Sequence, residues 1–289
     1  MTKYHSIKRG ILFMIAAAFC FGTMTAFVKM ATQTMPPFEI VFFRSFLGGL
    51  LIAALMWKRR VSFIGKHPRL LAFRGLCGFL ALSMHFYAIS QINLGSAVIL
   101  NFTSPIFVAM IAYIYLKENI SRILWLLTVI CFAGLYFLVG TQFAIKPFPI
   151  LIGLFSGFWA AVAYSTIRLS HPQESSLTII FYFTVIASVG SLPFLRLGFH
   201  MPIGAEWVPV AGVVVCSFFG QLFVTQAVRE APASVVSPFS YLTPVLSFAY
   251  GYLIWGDPIT GRMLFGVLLI VVSGTFIYTT QRRPEPAMD

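Results

Sequence analysis

The groups in this chain that could do chemistry are few, and they sit where polar groups are costly, inside long apolar runs. Asn101, Thr103 and Ser104 lead into Pro105; Ser237, Pro238, Ser240, Tyr241 and Thr243 lead into Pro244. A proline has no N–H and displaces the carbonyl four residues earlier, so Pro105 should free the Asn101 carbonyl and Pro244 that of Ser240. Loose carbonyls at membrane depth are tolerated only against protein or a watery cavity. The two segments read either as kinked helices packed on each other or as the lining of a cavity for a small polar solute. Polar groups recur before both mid-run prolines, which favours the cavity, with Pro105, Pro238 and Pro244 as its kinks.

Further polar groups point the same way. His85 and Tyr87 occupy one apolar run, Gln221, Thr225 and Gln226 another, and Trp159 and Tyr164 a third, while Cys20 and Thr23 lie in the first. All are expected to wall one substrate cavity, although a lone His85 is more often a satisfied buried imidazole. Arg44 is the charge set deepest in a span, where insertion costs about 2.5–3.5 kcal/mol at the centre. Two readings stay open for it. It anchors a carboxylate or phosphate through its planar fork of donors, or it snorkels outward and caps carbonyls near Glu39.

Enzyme chemistry finds no support. The acids Glu39, Glu118, Glu174, Glu206, Glu230, Asp257, Glu285 and Asp289 fall at run ends, in loops or in the tail, so none is placed to carry a proton or sodium ion through a membrane. No metal-spaced His/Cys cluster, phosphate loop or nucleophile elbow is present, and neither a metal nor a cofactor is expected. Cys20, Cys77, Cys131 and Cys216 lie within apolar runs and read as small buried residues. Gly153 and Gly157 are spaced for helix packing.

The elements that must hold these groups follow from composition. A chain 59% hydrophobic and 10% charged is not a soluble domain. About 20 apolar residues cross a bilayer as a helix. Ten such runs are legible: 10–30, 37–57, 70–90, 96–116, 122–140, 149–168, 176–196, 207–228, 233–255 and 263–281. The first is too long for a signal segment and lacks a cleavage site. The expectation is an all-α integral membrane protein.

The chain also repeats itself. A shift of 139 residues lays Ser104-Pro105 over Thr243-Pro244, Tyr113 over Tyr252, Glu118 over Asp257 and Lys29 over Arg168. One repeat is expected over 1–141 and a second over 149–281, followed by a cytoplasmic tail at 282–289. Five spans is an odd number, so the second copy enters from the opposite side and the repeats are inverted. Many alternating-access carriers are built this way.

Charge sets the expected orientation. Lys3, Lys8, Arg9, Lys58, Arg59, Arg60, Lys66, Arg69, Arg74, Lys117, Arg122, Arg168, Arg229, Arg282 and Arg283 fall on one side; Lys29, Lys146, Arg196 and Arg262 fall on the other. By the positive-inside rule both termini are cytoplasmic. The net charge of +12 is thus a topology signal and no nucleic-acid footprint. Short loops and the basic face fit a bacterial inner membrane, with the lipid bilayer and a metabolite as partners and a monomer sufficient.

Phe86-Tyr87-Ala88, Ser104-Pro105-Ile106-Phe107 and Leu116-Lys117-Glu118, with Ala231-Pro232-Ala233-Ser234, Pro244-Val245 and Trp255-Gly256-Asp257 in the second half, resemble the EamA branch of the drug/metabolite transporter superfamily. The resemblance covers essentially the whole chain. Phe38-Glu39-Ile40-Val41-Phe42-Phe43-Arg44 and Arg74-Gly75 are similar to the subgroup with S-adenosylmethionine and amino-acid carriers. This resemblance implies a cavity enclosed by spans 1, 3, 4, 6, 8 and 9, with spans 5 and 10 outside it. It implies carriage of a small polar organic metabolite by export or exchange. A non-transporting membrane enzyme or scaffold is the alternative.

Overall fold

The computed structural model describes residues 7–104, 106–108, 110–111, 122–139, 146–170, 174–196, 198–230 and 236–280. Among them the chain is helical, with no strand. The α-helices are α1 (Ile7–Ala31), α2 (Pro37–Arg59), α3 (Pro68–Gln91), α4 (Leu94–Asn101), α5 (Arg122–Val139), α6 (Pro147–Ser170), α7 (Ser176–Leu195), α8 (Trp207–Glu230), α9 (Leu242–Trp255) and α10 (Gly261–Thr280). A short 3-10 turn, Gly204–Glu206, opens α8, and another, Ser237–Tyr241, precedes α9. Proline at the first helical position starts α2, α3 and α6, where its missing N–H costs nothing and its fixed φ suits the helix. Gly256 ends α9 at φ 65°, a conformation that penalises any side chain with a Cβ.

Six segments are long and apolar enough to cross a membrane: Ile7–Ala31, Pro37–Arg59, Pro68–Gln91, Pro147–Thr166, Ser176–Leu195 and Gly204–Ala227. The fourth and ninth expected spans are not continuous α-helix. α4 stops at Asn101, and its chain turns through Phe102 and Thr103 before helix resumes. Pro244 was expected mid-helix; instead it lies in the first turn of α9, and the 3-10 turn Ser237–Tyr241 takes the place of the kink. A proline in a first turn breaks no intrahelical bond, which is why the helix restarts there. Pro105 lies outside the described residues.

The repeat is visible in the helix ends. The 139-residue shift carries Pro68–Gln91 onto Trp207–Glu230, and α1, α2 and α5 onto α6, α7 and α10 within three residues at each end. Packing follows the same symmetry. α1 lies on α8 as α6 lies on α3, and three helices pack on their own counterparts: α2 on α7, α4 on α9 and α5 on α10.

Those self-pairs are all antiparallel. Phe38 stacks on Phe194 at 4.0 Å, while the Thr178 hydroxyl at the other end of the pair reaches the Ser62 carbonyl at 2.9 Å. Phe102 meets Tyr241 at 5.6 Å, and the Leu94 N–H reaches Asp257 at 2.9 Å. Phe137 meets Phe265, and Gly134 faces Gly266 through Ile270. Equivalent helices can meet head to tail only if the two-fold axis crosses them. The repeats are therefore inverted.

Large apolar side chains face outward. Leu264, Phe265, Leu268, Val272 and Phe276 are exposed along α10, and Leu12, Phe19, Leu50, Phe73, Phe155 and Val189 on other helices. Ala17, Ala18, Thr25, Ser45, Ser156, Ala161, Ser191 and Ser247 are buried. Small residues inside and large apolar ones outside is the pattern of helices packed in lipid, where close backbone approach replaces a hydrophobic driving force.

Candidate functional site

A polar seam joins α1 to α9 and ends in an ion pair. From the middle of the bundle outward, the Thr243 hydroxyl reaches the Ala18 carbonyl at 3.3 Å, Thr25 meets Ser247 at 3.0 Å, and Thr23 meets Tyr250 at 3.2 Å. At the end, Lys29 Nζ donates to Asp257 Oδ2 at 3.0 Å and lies 5.3 Å from the centre of the Trp255 ring. The same carboxylate oxygen accepts the Leu94 N–H at the start of α4, where a helix N-terminus favours negative charge. α1, α4 and α9 are thus tied together at this end. Sequence reasoning passed over this pair, although the repeat alignment, which lays Lys29 on Arg168 and Asp257 on Glu118, carried the signal.

The equivalent seam joins α4 to α6. Asn101 Nδ2 donates to Ser156 Oγ at 3.0 Å, and Ser156 in turn donates to the Gly153 carbonyl at 2.6 Å. Thr103, buried, bonds the Leu100 carbonyl. A Cβ on Gly157 would stand 2.7 Å from Thr103 Oγ1 and 2.9 Å from the Leu100 carbonyl oxygen. The glycine pair expected to be a packing face is where α6 admits the broken turn of α4. Ser104, half-buried, is where helix resumes after that turn. Tyr241 is buried across the bundle axis against Phe102, with Ser240 half-buried beside it. Asn101, Thr103 and Tyr241 therefore do converge where α4 meets α6 and the 3-10 turn. The side chains of Ser237 and Pro238 lie outside the described ones.

A third cluster lies between α2, α3 and α7. Arg44 is 5% exposed and its guanidinium carbon lies 5.5 Å from the centre of the Phe183 ring. Arg74 lies 5.0 Å from the same ring. The two cations repel one another, and His85, buried, lies within the field of Arg44. Glu39 is not the partner of Arg44: its Oε1 accepts the His200 N–H at 2.7 Å, because the loop before α8 folds over the start of α2. Arg74 entered the sequence reading as a topology charge and as part of the subgroup resemblance, and was not named as a site residue; its reach to Phe183 depends on packing that no local pattern carries.

Other expected site residues are dispersed. Thr225 and Gln226 line a cleft of about 410 Å³ with Phe13, Arg59, Ser175 and Phe223, at the basic end between α1, α8 and the α2–α7 pair. Thr225 bonds the Gln221 carbonyl and Gln226 bonds Glu230. Tyr87 lies at the other end of the bundle, against Phe148. Inversion sets this separation: Tyr87 and Gln226 are aligned by the repeat, and each lies near the end of its helix, away from the two-fold axis, so they fall at opposite ends. Trp159 is half-buried beside Phe158. Tyr164 is 59% exposed on α6. No group of three or more His, Cys, Asp or Glu able to hold a metal occurs among the described residues.

Comparison with known proteins agrees with this architecture. The EamA-like transporter family matches residues 8–140 and again residues 147–279. The pseudopaline exporter CntI of Pseudomonas aeruginosa (strain UCBPP-PA14) is 34% identical over 278 residues, covering 96% of this chain and 98% of that protein. The S-adenosylmethionine uptake transporter of Rickettsia felis is 25% identical over 254 residues, covering 85% of this chain and 84% of that one. A protein crystal structure shares the fold with a TM-score of 0.63 at 18% identity, covering 94% of this chain and 96% of that chain. Two inverted helical repeats, outward apolar faces and a family match over both halves lead to one conclusion: the chain belongs to the EamA-like transporter family and is a multi-pass membrane transporter.

Proposed function

We propose that this transporter is a carrier that moves a small polar organic metabolite by alternating access, as an exporter or exchanger. The observation behind this reading is the antiparallel self-packing of α2 on α7 and α4 on α9, which lets each repeat rock against the other. The bundle is tied at the Lys29–Asp257 end and carries a cleft at the Arg59 end, as a carrier closed on one side would. The basic end is cytoplasmic on this reading, in a bacterial inner membrane, with ten spans in all. Metabolites such as those its relatives are named for, pseudopaline and S-adenosylmethionine, are the first solutes to test.

The test is counterflow. Proteoliposomes loaded with unlabelled solute are diluted into a trace of labelled solute, and transient accumulation that saturates with concentration is the expected result. Flux that rises linearly, with no accumulation, would replace the carrier by a channel.

A further inference from the structure

We propose that Arg44 and Arg74 together form an anion site that takes two carboxylates of one substrate, making polycarboxylate metabolites the substrate class. The inference rests on the carrier reading and sharpens it.

Both guanidinium carbons lie within 5.5 Å of the centre of one ring, Phe183. That ring is itself 7% exposed and held in place by Gly78, whose absent side chain leaves room for it at 2.9 Å. The ring fixes both cations on one apolar platform. Each leaves a buried donor unmet. Each guanidinium has five N–H donors. Among the described residues the Nε of each is buried without an acceptor, and Arg74 Nη1 donates to the Ile179 carbonyl at a long 3.5 Å.

Charge compensation is also missing. Among the described residues no carboxylate lies within ion-pairing distance of either arginine. Glu39 serves His200, Glu174 the His67 N–H, Glu206 His200, Glu230 Gln226, and Asp257 Lys29. Two like charges that repel one another in an apolar setting are costly, and a fold keeps them only where something offsets that cost. A ligand with negative charge does so. Carboxylates match best, because a guanidinium fork pairs with one through two parallel hydrogen bonds. Two forks disposed about one ring call for two carboxylates on a carbon skeleton, with the Phe183 ring beneath it.

Thermal unfolding of the full chain in detergent, at constant ionic strength, tests this with glutarate, citrate, glutamine, putrescine and inorganic phosphate as probes. Glutarate and citrate should raise the midpoint dose-dependently, and glutamine and putrescine should not. Arg44→Gln and Arg74→Gln should each weaken the apparent affinity at least tenfold. Should either glutamine variant fail to fold, Arg44→Lys and Arg74→Lys keep the charge but lose the fork, and each should weaken binding by a smaller factor. Silence of both carboxylates on the wild type, unchanged affinity in every variant, or a shift with phosphate alone would overturn the site. Counterflow separates the two readings: saturable exchange of a neutral or cationic solute with carboxylates silent leaves the carrier standing and removes the anion site.

Discussion

Replacing Asp257 with alanine is expected to reduce counterflow at least tenfold while leaving the helices folded. The carboxylate accepts both Lys29 Nζ at 3.0 Å and the Leu94 N–H at 2.9 Å, and the two paired side chains are only 14% and 17% exposed. Breaking a fully buried pair costs about 3–5 kcal/mol, and this pair, partly wet, should lose about 3 kcal/mol. That loss falls only on the state in which α1, α4 and α9 are joined. A bias of about 3 kcal/mol moves a two-state equilibrium roughly 150-fold. Asp257→Asn separates the contributions, because its amide oxygen still accepts from Leu94 but no longer neutralises Lys29; it should fall between wild type and alanine. Thr25, 2% exposed on the adjoining seam, gives a second measure. As Thr25→Cys it should resist a water-soluble maleimide in the otherwise wild-type chain and react readily with Asp257→Ala present. Equal protection in both would separate the ion pair from closure.

The second large effect is expected at Gly157. A Cβ there would stand 2.7 Å from Thr103 Oγ1, which can rotate, but also 2.9 Å from the Leu100 carbonyl oxygen and 3.2 Å from that of Asn101, which cannot. Gly157→Val therefore has to push α6 away from the broken turn of α4 and strain the Asn101–Ser156 hydrogen bond. Overpacking of this kind costs about 1–3 kcal/mol, and collision with backbone puts this site at the top of that range. A clear drop in the unfolding midpoint in detergent, with flux lost in parallel, is expected. Gly261 is the control, since nothing lies within 4 Å of its missing Cβ and Gly261→Ala should behave as wild type. A midpoint for Gly157→Val equal to that of the control would mean that the α4–α6 contact does not bear on stability.

Much of the fold was legible in the sequence because it rests on local and periodic signals. Length of apolar run set the helices, and the 139-residue echo set the repeats. An odd number of spans per repeat required the inversion that the antiparallel pairs display. What escaped depends on long-range packing. Arg74 resembles any basic residue near a helix start until α7 brings Phe183 against it through Gly78. Tyr87 and Gln226 were placed together because the repeat aligns them and both looked central in the membrane; each instead lies near a helix end, and inversion then sends them to opposite ends. Pro244 misled for a different reason: a proline marks a break but not which side of it the helix resumes, and here α9 resumes just ahead of it. The Asn101 segment was read from the same signal and does fall at a helix break, with Thr103 bonding back to the Leu100 carbonyl and Asn101 reaching Ser156 on α6.

On the carrier reading proposed above, the α1–α9 seam opens and closes once per transport cycle. Thr23 and Tyr250 face each other across that seam at 3.2 Å. With Cys20, Cys77, Cys131 and Cys216 replaced, Thr23→Cys and Tyr250→Cys can be joined by a short reducible thiol cross-linker in proteoliposomes. Alternating access predicts that counterflow stops when the link forms and returns when it is reduced. Undiminished counterflow with the link in place would contradict it.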